Sequence, residues 1–106
     1  MAARLRAVVW AESGRDALDE VIAYIAEDSP QAAVHVLDAA LAAAASLATL
    51  SARGRIVPEL NDPDIREIFV FRYRLMYRVE DERVVVAAFL HGARDFATWR
   101  QSQSSL

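Results

Sequence analysis

Polar and apolar residues alternate most cleanly where Tyr73, Leu75, Tyr77 and Val79 interleave with Arg74, Met76 and Arg78. A period of two is what a strand with one buried face requires, so the arginines are expected outside and the rings inside. Further strands are predicted over 65–70 and 84–90, with Glu80, Asp81, Glu82 and Arg83 as a polar hairpin before the last. That last strand is almost wholly apolar, as a central strand covered on both faces would be. Upstream the period lengthens: Leu18, Val21, Ile22 and Ile25 recur at i, i+3, i+4 and i+7, one helical stripe. Ser13 with Asp16 three residues on has capping-box spacing and predicts the start of that helix. Ser29 and Pro30 predict the N-cap and first residue of a second helix running to about Leu50. Its buried face is expected to hold Ala33, Leu37, Ala40, Leu41, Ala44, Leu47 and Ala48. A short strand over 5–10 precedes both helices, and Pro58, Asn61, Asp62 and Pro63 mark an irregular loop after Gly54.

The resulting order is β-α-α-β-β-β, an α+β fold with a helical hairpin packed on one face of a mainly antiparallel sheet. Residues 1–106 are expected to form a single domain, with a tail over 101–106 that frays. Without cysteine, disulfides and thiolate metal sites are excluded. His35 and His91 stand too far apart for a metal-ligand motif, so neither metal nor cofactor is expected. No apolar run approaches the ~20 residues that span a bilayer, and no signal peptide is evident, which implies a soluble cytoplasmic protein.

Charge is distributed unevenly. The first 50 residues carry three Arg against seven acids, and the remainder nine Arg against eight. A formal net charge of −3 argues against strong, sequence-independent nucleic-acid binding but allows a local basic face. Arg66, Arg72, Arg74, Arg78 and Arg94 are the candidates for such a face, since guanidinium forks suit phosphates and carboxylates. Alternatively they pair with Glu59, Asp62, Asp64, Glu67, Glu80 and Asp95 as surface ion pairs. His91 is either a proton-transfer group or a structural histidine at the end of a buried strand. Tyr73 and Tyr77 are expected in the core with their hydroxyls partnered, and Trp10 in the core beside them. Phe96 and Trp99, beyond the last strand, either cover the sheet edge or form a contact surface.

Arg66-Glu67, then Tyr73-Arg74-Leu75-Met76-Tyr77-Arg78-Val79, then an apolar strand ending in His91-Gly92-Ala93-Arg94-Asp95, resembles the RelE/ParE superfamily of type II toxins. The front half agrees, through Trp10, Asp19 and Tyr24, the Ser29–Ala33 helix start, and Gly54-Arg55, so the resemblance spans about residues 5 to 96. RelE-like members are mRNA endonucleases of the ribosome that use lysines, arginines and an ionisable ring near the C-terminus. Here there is no lysine, Phe96 stands where that ring is expected, and the chain is acidic. The resemblance therefore implies a ParE-like, non-catalytic toxin that binds DNA gyrase. It also implies a ParD-like ribbon-helix-helix antitoxin, and DNA contact only through the antitoxin complex. Partner contacts are expected at Arg66, Arg72, Arg74, Arg78, Arg94, Phe96 and Trp99, with no catalytic residues. A RelE-like endonuclease, or an inactive homologue that works only in the antitoxin complex, is the alternative.

Overall fold

The computed structural model describes residues 4–92, 96–98, 100 and 101. Among the described residues, the elements in order are β1 (Ala7–Trp10), α1 (Glu12–Asp28), α2 (Pro30–Ser46), β2 (Arg55–Ile56), β3 (Ile65–Val70), β4 (Tyr73–Val79) and β5 (Arg83–Leu90). They build one five-stranded sheet in the order β1-β5-β4-β3-β2. Only the β1–β5 pair is parallel, and the other three pairs are antiparallel. The two helices pack on one face, so the expected α+β architecture holds, with β2 as an additional edge strand. Two residues are too short to show any period, which is why β2 reads as loop in the sequence.

α1 begins two residues earlier than its capping-box pattern suggests. Ala11 occupies the N-cap position without a side-chain cap, and its N–H donates to the Val86 carbonyl of β5. Ser13 is already inside the helix and donates its hydroxyl to the Ala87 carbonyl at 3.1 Å. Gly14 explains the early start, because a Cβ there would collide with the Val86 carbonyl oxygen. Close approach of helix to strand thus overrides the local capping signal. α2 behaves as read: Ser29 accepts from the Ala32 N–H at 3.1 Å, and Pro30 follows at the first helical position. It ends at Ser46 rather than near Leu50, where fully buried Leu47 anchors the turn into the core. Ala33, Ala40, Ala44 and Leu47 are buried as expected, whereas Leu41 is 46% exposed.

Between helices and sheet lies the main core, with Leu18, Ala40, Ala44 and Leu47 packed on Ile68, Leu75, Tyr77, Val84, Val86 and Phe89. The inward stripe of β4 is therefore the one that the alternation indicates. Tyr77 accepts from the Gly54 N–H at 3.0 Å and donates to the Ser51 carbonyl at 2.8 Å, so its ring packs while its hydroxyl fastens the α2–β2 connection. Burial pushes that phenol's pKa above its ordinary value. The opposite face carries a second, smaller core of Val57, Met76, Ala88, Leu90 and Phe96, flanked by Leu60 and Ile65. Among the described residues no helix is long and apolar enough to cross a membrane.

Tyr77→Phe should keep the fold but leave a buried N–H and a carbonyl without their partner. Unsatisfied buried groups cost about 1–3 kcal/mol. Chemical denaturation should show a lowered midpoint with an unchanged slope. A midpoint equal to wild type would show that water replaces the hydroxyl.

Candidate functional site

The β3–β4 register sets Glu67 opposite Met76 and Phe69 opposite Arg74, while β2 sets Arg55 opposite Glu67. These side chains therefore share the sheet face turned away from the helices. The Glu67 side chain is wholly buried and accepts from Arg74 Nε at 2.5 Å and from Arg55 Nε at 2.7 Å. Arg74 spends its remaining fork on Glu59, with two bonds of 2.8 Å. Phe96 lies 5.0 Å beneath the Arg74 guanidinium, and Phe69 5.1 Å from that of Arg55. Two cations thus meet two anions, and the cluster is internally neutral. The Arg74 fork holds the Glu59 carboxyl below its ordinary value, and Glu59, then Glu67, makes the Arg74 guanidinium still harder to deprotonate.

This placement corrects two expectations. Arg74, expected at an exposed surface, is only 7% exposed, and Phe96, a candidate contact residue, is 4% exposed. The reason is the second core. The β2–β3 loop and the helical residues 96–98 cover a face that period-two reasoning leaves to solvent. Met76, apolar among arginines and fully buried, was the one sequence signal of that covering. Arg66 stands in register with Tyr77, hence on the helix side, and donates to the Gly54 carbonyl at 2.9 Å. Arg72 and Arg78 remain exposed. Arg94 and Trp99 lie outside the described residues. The described candidate arginines do not form one surface.

Concavities among the described residues include one at the sheet end and one along the helices. At the sheet end, a cleft of about 490 Å³ brings Arg72, Tyr73 and His91 together with Glu20 and Tyr24. His91 is exposed, with its ring 5.2 Å from that of Tyr73. Phe71, in the turn before Arg72, holds φ at +56° and keeps its ring 58% exposed, 5.5 Å from His35. A positive φ in a bulky residue is uncommon and stores local strain. Tyr24, 72% exposed on α1, falls off the helix's apolar stripe and carries no sequence signal for the cleft. The second concavity, about 210 Å³, lies along the helices, floored by Leu18, Leu37 and Leu41 with Arg15 and Asp19 at its rim. An apolar floor with charged edges suits one face of an amphipathic helix. Among the described residues no group of three His, Asp or Glu is arranged to hold a metal ion.

Arg74→Ala should destabilise the fold by about 3–5 kcal/mol, because it leaves Glu67 buried and short of a partner. Thermal melting will report it, and a near-native melt would return Arg74 to the surface. A second prediction concerns pH. A carboxylate whose folded pKa is depressed contributes stability above its unfolded value, here 4.5, and loses it as pH falls through the folded value. Glu59→Gln should therefore be less stable than wild type near neutrality, and the difference should shrink as pH falls below 4.5 and close once the depressed folded value is passed. Equal stability at pH 7 would show that the Glu59–Arg74 fork contributes nothing.

The residues matching the family described as ParE toxin of the type II toxin-antitoxin system parDE are 8–96, most of the chain. Among solved structures, one described as a chromosomal ParDE toxin–antitoxin system from P. aeruginosa is similar at a TM-score of 0.68 and 14% identity. That match covers 84% of this chain and 98% of the other. The toxin–antitoxin complex RelBE2 from Mycobacterium tuberculosis is similar at a TM-score of 0.55 and 21% identity, covering 85% of this chain and 94% of that one. At such identities the two structures speak for the fold alone. Comparison with curated protein sequences gives no match. The family match carries the assignment, and the chain belongs to the ParE toxin family of type II toxin–antitoxin systems.

Proposed function

We propose that this protein arrests bacterial growth by binding DNA gyrase, and that a ParD-like ribbon-helix-helix antitoxin neutralises it. Its place of action is the cytoplasm, and it reaches DNA only within the antitoxin complex. The observation that carries this reading is the closed network of Arg55, Glu67, Arg74 and Glu59. Guanidiniums that already satisfy internal carboxylates are poorly placed to stabilise the charge of a phosphorane, which catalysis of RNA cleavage would need. Binding through an apolar, charge-rimmed groove needs no such group. The groove over Leu18, Leu37 and Leu41 is the natural seat of the antitoxin's helix.

A ribosome-dependent mRNA endonuclease is the second reading, favoured by one observation. Arg72, His91 and two tyrosines converge on a single cleft. Against it, the Glu20 carboxylate lines the same cleft and would repel a phosphate.

Two assays on purified protein separate these. Gyrase supercoiling should be inhibited, with inhibition reversed by the antitoxin, while ribosome-bound message stays intact. Undisturbed supercoiling together with codon-specific cuts that vanish in His91→Ala would replace the gyrase reading with the nuclease one. Growth unaffected by induction of soluble protein would leave this copy without toxin activity.

A further inference from the structure

The β4–β5 ladder contains a fault. Tyr77 pairs with Val86 and Met76 with Ala88, so Ala87 is skipped as the extra residue of a β-bulge. Bulges re-aim side chains, and are common beside functional sites. This one places a small residue in the floor of a pocket of about 300 Å³ on the face away from the helices. Leu60, Ile65 and Met76 complete the apolar floor, and Arg78 and Arg100 line the same pocket, both exposed. Among the described residues neither guanidinium has a carboxylate within ion-pairing distance. Arg78 makes no hydrogen bond there either, and Arg100 makes only a long one, 3.5 Å, to the Glu59 carbonyl. Elsewhere on this face Arg55 and Arg74 are fully matched by acids.

We propose that this pocket docks an acidic peptide segment of a protein partner, with one apolar side chain on the floor and a neighbouring carboxylate between Arg78 and Arg100. The volume, at the lower end of ligand pockets, suits one or two side chains. Unmatched guanidinium forks select planar carboxylates. Nucleic acid fits less well. Among the described residues, the aromatic one that lines the pocket, Tyr77, is fully buried and offers no face for base stacking, and the chain's net charge is −3. The inference rests on the reading of this protein as one that acts by binding other proteins.

The probes are acetyl-Ala-Ala-Leu-Asp-Glu-Ala-amide, its Asn-Gln counterpart, and a ten-nucleotide oligouridylate. Each is titrated into uniformly ¹⁵N-labelled full-length protein to about 10 mM, which reaches the weak affinity of one apolar contact plus one ion pair. The acidic peptide should shift the amides around Leu60, Ile65, Arg78 and Ala87, and Arg78→Gln should weaken it about two- to fivefold, the measure of one exposed ion pair. Ala87→Leu, which fills the floor and keeps both charges, should abolish the shifts. Arg83→Gln, whose side chain pairs with Glu80 instead, should change nothing. No shifts with the acidic peptide, equal shifts with the Asn-Gln peptide, or shifts here with oligouridylate alone would each overturn the proposal. Growth inhibition by the unmutated protein is scored in parallel. Toxicity without peptide shifts rejects the pocket alone, whereas absence of toxicity rejects the reading beneath it.

Discussion

Glu67 is a carboxylate with no exposed surface, set in the middle of a sheet, and the far side of the molecule is organised around keeping it satisfied. Its two oxygens take one guanidinium from β2 and one from β4. The guanidinium from β4 reaches on to Glu59 in the β2–β3 loop and lies over Phe96 beyond β5. Five separate stretches of chain are thereby joined through one buried charge. Burying an ion pair is costly by itself, and well-packed apolar residues often do better. What such a network supplies is register. A one-residue slip of β3 would turn Glu67 into the helix-side core, where the residues packed there are overwhelmingly apolar.

The same constraint explains the contrast between the two sheet faces. On the helix side, packing is apolar and tight enough to require Gly14 against β5 and Gly54 against β3. Opposite, a small core is interleaved with ion pairs, and the chain covering it has little regular structure. Cations near the network are consumed by it, whereas Arg72 and Arg78 lie beyond its reach and stay exposed. Whether a guanidinium is already paired is thus decided by its place in this network rather than by its position in the alternating pattern.

That distinction marks how far the sequence could be read. Tyr73, Leu75, Tyr77 and Val79 declare the inward face of β4 because a period of two is a local property, and the Ser29-Pro30 corner is equally local. Element order followed from such signals, and with it the fold. The fate of Arg74 depended on three partners, 7 residues away in the case of Glu67, 15 in that of Glu59, and beyond β5 in that of Phe96. No pattern within a strand encodes them. β2 is silent in the sequence because two residues carry no period, and Ser13 does not mark the helix start because helix–strand contact, not capping, fixes where α1 begins. The cleft at the sheet end joins α1, the β3–β4 turn and the end of β5, and only tertiary structure brings Tyr24 to His91.

On the proposed reading of this protein as one that works by binding, this arrangement separates two tasks that compete when one surface must do both. Residues that hold the sheet together have their hydrogen bonds and charges answered internally, so a partner gains little by approaching them. Residues left with unanswered charge or exposed apolar area sit at the rims: Arg72 and Phe71 at the hairpin tip, Leu41 on α2, Arg78 beside the bulge. Interface energy concentrates in aromatic and arginine side chains that become desolvated on contact. On that reading, substitution at the rims is expected to act on recognition, while substitution in the network acts first on folding and only through folding on recognition.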